Sequence, residues 1–198
     1  MKSLASFFFV VFVSLAASSQ EANPQLLPEP ASWAFERFPL PPGFAPGIPY
    51  KGVEELRFSP GMFNKDSSNY FSYAFVAELD NVTIISQNDT RKYLLQYFKG
   101  LCASVAKDRK LIIDTARITV TIAKKKRILA DETIYDAVLN IFGVFADGAS
   151  VTLNGEIKVL MNHAAKKTYL IFIASPREKS AAIWKTLYKI QKDFTIVK

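Results

Sequence analysis

Cysteine, histidine and glycine are scarce in this chain, whose 198 residues include one Cys, one His and eight Gly. A single cysteine, Cys102, excludes any internal disulfide. One His and one Cys supply too few nitrogen and sulfur ligands for a zinc-type site, so no metal is expected. A catalytic His163 would need an orienting partner and a nucleophile close by, and its setting, MNHAAKKT, has the character of a turn. The glycines cluster around Gly43/Gly47, Gly52/Gly61 and Gly143/Gly148, and none of these matches the P-loop or the dinucleotide fingerprint. HExxH, GxSxG and calcium-loop patterns are absent as well, so no catalytic residue and no cofactor is expected. Proline is missing between Pro60 and Pro176.

No apolar run reaches the roughly 20 residues that a membrane span needs. The nearest is Leu4 to Ala17, apolar apart from Ser6 and Ser14, with Lys2 before it and Ala16, Ala17, Ser18 and Ser19 at its end. A positive start, a short apolar middle and small residues at the exit form the pattern of a cleaved signal peptide. Residues 1–19 are therefore expected to be a signal peptide, cut near residues 17–19, and the protein to be secreted or periplasmic without a permanent membrane anchor. No Cys near the cut offers a lipid attachment point. Nucleic acid is an unsuitable partner in that compartment.

The remaining residues, about 179, are enough for one domain with a substantial core and no staples. The 16 Phe, of which four leave with the signal, supply such a core. The formal net charge is +7, and Lys2 accounts for one of those charges. Such a balance favours encounter with anionic surfaces but says nothing of fold.

Residues 20–32 are polar and Pro-containing, with no apolar period, and are expected as a flexible lead-in to a single α+β domain over 33–198. A first strand is expected over 33–38. The segment 39–49, PLPPGFAPGIP, excludes helix and inner strand, because proline lacks the amide donor. It is expected as an extended loop, with Phe44, Ile48 and Tyr50 to pin it. Strands are then expected over 53–58 and 70–79. The latter is apolar on both faces and so belongs inside its sheet. Leu94, Phe98, Leu101, Cys102 and Val105 recur at helical spacing and predict a helix over 90–106, capped by Asn88 or Asp89. Strand-like runs over 116–123, 133–142, 151–161 and 168–174, with short connections, predict an antiparallel meander. Ser175-Pro-Arg-Glu178 reads as a capping box before a helix striped by Ile183, Leu187, Ile190 and Phe194. The expected order is βββ-α-ββββ-α, a largely antiparallel sheet packed by two amphipathic helices.

Few residues point to chemistry. Cys102 lies on the apolar stripe of the first helix, the position of a small buried hydrophobe. Glu54-Glu55 and Asp131-Glu132 are adjacent pairs, and neighbours on a strand face opposite sides. Lys124, Lys125, Lys126 and Arg127 are expected at a hairpin tip, either as a solvated turn or as a contact for an anionic polysaccharide, lipid head group or protein. Two N-x-Thr sequons, at Asn81 and Asn88, suit glycosylation in a eukaryotic secretory route. Trp33, Phe35, Phe44, Tyr50, Phe71, Tyr73 and Phe75 are the candidate ligand- or partner-binding residues. They either line a groove under the Pro-rich loop or form core.

The run PYKGVEELRFSPGMF (49–63), followed by YFSYAF (70–75), resembles a group of exported bacterial proteins of unassigned function. That resemblance implies location and no activity. The late strand 169–174, leading into a terminal amphipathic helix, is similar in layout to the PsbP/Mog1-type sandwich. This similarity implies a binding or assembly factor, because members of that fold are mostly non-catalytic. The expected function is thus an exported non-catalytic domain that binds an unknown protein or small ligand, with the Pro-rich loop and aromatic strand as contact region. The alternative is an exported hydrolase using cleft carboxylates such as Glu54 or Asp136. A third reading has an envelope protein held by its basic face and released by salt.

Overall fold

β-branched and aromatic residues recur in seven stretches of the chain, and each forms a strand. The computed structural model describes residues 24–129 and 131–196; the expected signal peptide, 1–19, and residues 20–23 lie outside the described residues. The elements are β1 (Ala34–Leu40), β2 (Gly52–Phe58), β3 (Tyr73–Asp80), α1 (Gln87–Asp108), β4 (Thr119–Leu129), β5 (Glu132–Phe142), β6 (Ser150–Asn162), β7 (Lys167–Ser175) and α2 (Ile183–Asp193). A single turn of 3-10 helix, Thr115–Arg117, precedes β4. All pairings in the sheet are antiparallel, in the order β1-β2-β3-β7-β6-β5-β4. The fold is α+β in the expected element order. The last four strands form the meander that their short connections predict.

Each face of the sheet is covered by a different part of the chain. Leu56, Phe75, Phe172, Ile157 and Tyr135 are register partners across five strands. With Tyr93, Leu94, Tyr97, Phe98 and Cys102 of α1 they form the larger core. On the opposite face Ala74, Val76, Ile171 and Ile173 pack against Trp184, Leu187 and Ile190 of α2. The inner strands β3 and β7 are apolar on both sides because both sides are covered. Cys102 is fully buried and free, and burial pushes its thiol up to about 11. Among the described residues no helix is long and apolar enough to cross a membrane.

Three local expectations differ from what forms. The side chain of Ser86 caps α1 by accepting from the Asp89 amide, so the helix begins before Asn88. The expected capping box at Ser175 is not a cap. Ser175 ends β7, its hydroxyl pairs with Ser72 at 2.7 Å and accepts from the Arg177 amide, and α2 begins only at Ile183 without a side-chain cap. The run Lys124–Arg127 is not a hairpin tip. It lies within β4, an edge strand whose one neighbouring strand in the sheet is β5, with register shifts between Lys124 and Lys126 and between Arg127 and Leu129. Edge strands tolerate charge and bulges, which also discourage pairing with other chains.

Candidate functional site

The second strand carries the chemistry that its composition hides. All of its residues from Glu54 to Phe58 are buried, including Glu54, Glu55 and Arg57. Alternation sends Glu54 to the α1 face and Glu55 and Arg57 to the other.

Glu54 sits among tyrosines of α1 and β3. Tyr97 donates to Oε1 at 2.7 Å and Tyr93 to Oε2 at 3.0 Å. Tyr93 and Tyr97 are four residues apart, so successive turns of α1 present both hydroxyls to one carboxyl. The Pro-rich segment closes over this group. The Phe44 ring meets Tyr97 edge-on at 5.0 Å, Tyr50 lies 6.3 Å from Tyr93, and Ile48 is 2 % exposed. Gly100 admits that segment, because a Cβ there would stand 2.2 Å from the Phe44 carbonyl oxygen. Burial raises the Glu54 carboxyl to about 8, against the opposing effect of the two tyrosine hydrogen bonds, while the nearby Glu36 raises it further. Burial and the adjacent carboxyl push Tyr93 and Tyr97 well up, so both remain phenols. The Tyr73 hydroxyl is buried beside them with no hydrogen-bond partner among the described residues.

On the opposite face Glu55 and Arg57 hold residues 25–33. Glu55 accepts from the Leu27 amide at 2.9 Å and pairs with Arg37 at 2.9 Å. Arg57 donates to the carbonyls of Leu27, Pro28 and Trp33 and to the Gln25 side chain, while its guanidinium lies 4.6 Å over the Phe35 ring. Leu27 and Trp33 are buried against β3, β7 and α2. The part of the expected lead-in from Gln25 onward is therefore fixed to the sheet. Two buried charges supply the partners that an apolar strand would not.

An open cleft of about 660 Å³ lies at the end of the sheet where the Pro-rich segment leaves β1 and rejoins β2. Its apolar wall includes Leu26, Phe38 and Val53, and its polar wall Arg37, Glu78, Asp80, Lys167 and Tyr169. Lys167 stands between the two acids, 2.5 Å from Glu78 and 3.6 Å from Asp80. Burial works against its ammonium, yet those two carboxylates hold its pKa above the ordinary lysine value. Burial and the hydrogen bond to Glu78 push the Tyr169 phenol up. The cleft thus offers a cation between two anions, a phenol and an apolar wall. Its volume is that of a small-molecule site. The sequence signal for it was slight: Glu78 and Asp80 are two apart on one strand, hence on one face, and face the start of β7.

The seven aromatic candidates do not share a groove. Phe71, Tyr73 and Phe75 are core beneath α1, Trp33 belongs to the α2 side, and Phe35 lies under Arg57. Only Phe44 and Tyr50 sit in the Pro-rich loop, against Tyr97 and Tyr93. The basic run divides too: Lys125 crosses to the α2 face, 2.7 Å from Glu156, while Lys124 is exposed opposite Tyr135 on the α1 face. The side chains of Lys126 and Arg127 lie outside the described ones. Asp136 lies on the face opposite Glu54, beside Lys125 and Lys179, so those two carboxylates cannot act on one substrate. His163 is half exposed in its turn, 3.0 Å from Asp131, and Asn81 and Asn88 are exposed. Among the described residues no group of three His, Cys, Asp or Glu side chains could hold a metal ion. No family model, curated protein or solved structure matches this chain.

Proposed function

We propose that this chain is an exported, non-catalytic binding domain that holds a small polar ligand in the cleft beside the Pro-rich segment. The cleft carries this reading. It is open and of ligand size, and its charged groups come from three elements, β1, β3 and β7, fixed by one sheet. Lys167 already touches both acids, so a ligand bearing an ammonium and a carboxylate would exchange with an existing ion pair rather than meet an unpaired charge. The layout resembling the PsbP/Mog1-type sandwich supports a binding role by analogy of fold alone. The amino-terminal pattern supports export.

The hydrolase alternative has less to stand on. Its named carboxylates, Glu54 and Asp136, face opposite sides of the sheet, and Glu54 is enclosed by tyrosines. The carboxylates that do share the cleft both contact Lys167. Neither stands free to protonate a leaving group.

Mature protein incubated with a small-molecule extract of its source, re-isolated and analysed by mass spectrometry, tests the proposal. A compound enriched on the wild type and lost on Val53→Trp, which fills the cleft, is the expected result, and it stays unchanged on long incubation. Steady consumption of that compound, or equal retention by Val53→Trp, overturns the reading.

A further inference from the structure

We propose that the outer face of α1 docks on an anionic lipid bilayer. The solvent stripe of this helix is Asn88, Lys92, Gln96, Lys99, Ala103 and Lys107, spaced three or four residues apart. It contains no carboxylate. The acids of α1 stand at its ends: Asp89 is bonded to Ser86, and Asp108 is in the last turn. Among the described residues Lys92, Lys99 and Lys107 make no ion pair. Lys110 extends the positive surface past the helix, and Lys124 adds to it from β4. The opposite side of the molecule is arranged differently. There Lys125 pairs with Glu156, Lys158 with Glu132, Lys167 with Glu78, Lys179 with Asp136 and Lys189 with Asp193. Lys185 and Lys192 on α2 are also exposed and make no ion pair among the described residues, but Asp193 stands beside them, so the longer lysine run free of carboxylate is the one on α1.

Two isoleucines decide between a bilayer and a soluble polyanion. Ile84 is 77 % exposed and Ile112 is 100 % exposed. They stand three residues before and four residues after α1, at the two ends of a helix about 33 Å long. Isolated exposed aliphatics are common on protein surfaces. A pair bracketing a carboxylate-free basic stripe is the arrangement of a surface that is drawn to lipid head groups and inserts apolar side chains beneath them. A polysaccharide has no apolar phase to receive them. The surface is separate from the cleft, so this inference stands or falls independently of the ligand reading.

The test is co-sedimentation of the mature chain with vesicles of phosphatidylcholine alone and of phosphatidylcholine with one-third phosphatidylglycerol. Binding only to the anionic vesicles, and its loss in high salt, is expected. Lys92→Gln, Lys99→Gln and Lys107→Gln together should weaken partitioning about a hundredfold. Lys185→Gln, Lys189→Gln and Lys192→Gln remove equal charge from exposed positions on α2 and should weaken it less than about threefold. Ile84→Ser with Ile112→Ser should cost about tenfold while thermal melts stay unchanged. Equal losses from the two lysine sets would mean that bulk charge alone acts. That result, no binding to either vesicle, or binding indifferent to the isoleucine pair overturns the proposal. A cleft-filling Val53→Trp leaves vesicle binding intact, which separates the two readings.

Discussion

Replacing Glu54 by Gln should make the protein more stable, and increasingly so as the pH rises. Burial raises the folded-state pKa of this carboxyl to about 8 from an ordinary value of 4.5. Below the unfolded-state pKa both states are protonated and the full stability is present. Between the two values the unfolded chain ionises while the folded chain keeps its proton. Stability therefore falls as pH rises through this window, by about 1.4 kcal/mol per pH unit, and levels off above the folded pKa. Over the whole window the loss is about 5 kcal/mol. For a chain of this size that corresponds to a melting temperature lower by roughly 10 to 20 °C. Gln keeps the shape, accepts from one tyrosine hydroxyl and donates its amide to the other, which turns to accept, and it cannot ionise. Of the groups facing residue 54, Tyr73, Tyr93 and Tyr97 stay phenols over this pH range and Glu36 is present in both proteins, so the difference reports chiefly on Glu54. Thermal melts of wild type and Glu54→Gln from pH 4 to 9 should nearly coincide at the acid end and diverge steadily to a plateau above about pH 8. Two parallel curves would refute a buried, protonated carboxyl.

Tyr73→Phe removes a buried hydroxyl that has no partner among the described residues and should be neutral or stabilising by up to about 1 kcal/mol, read as a raised denaturation midpoint. Tyr97→Phe, by contrast, removes the 2.7 Å bond to Glu54 and should destabilise by about 1–3 kcal/mol in the same urea titration. Gly100→Ala places a methyl group against the Phe44 carbonyl, and backbone cannot yield as a side chain does. A cost of about 1–3 kcal/mol and faster amide exchange over residues 42–48 are expected. Arg57→Lys cannot satisfy four acceptors with a point charge, so residues 25–33 should become sensitive to limited proteolysis while the sheet's far end, β4 to β6, keeps its exchange protection.

Periodicity made the architecture legible, because strands and helices here bury continuous apolar faces. The helical spacing of Leu94, Phe98 and Cys102 and the two-sided apolar pattern of β3 each placed their element within a few residues. What periodicity could not separate was charge at an edge from charge in a turn. Lys124–Arg127 reads as a tip, yet an edge strand with two register shifts accommodates the run. The Ser-Pro-Arg-Glu sequence has the letters of a cap, but Ser175 is held in β7 by Ser72, from a distant part of the chain. Glu54, Glu55 and Arg57 were the hardest to read. Their partners come from 18 to 43 residues away, Tyr93 and Tyr97 on one side and residues 25–37 on the other. In sequence they look like an exposed polar stretch. One clue was present: VEELRF does not alternate cleanly, as a strand with one wet face would. Of the aromatic candidates, Phe71, Tyr73 and Phe75 follow the core reading that their pattern also allowed, since large rings beneath a helix pack as core. The cleft joins residues from the amino-terminal segment and four strands, β1, β2, β3 and β7, and no local pattern announces it.

Native mass spectrometry of the protein purified gently from its own source tests the proposed binding-domain account most directly. The expected spectrum contains the protein with a reproducible added mass, roughly a few hundred daltons, that Val53→Trp lacks. A bare protein from every preparation, together with turnover in a hydrolase screen, would contradict it.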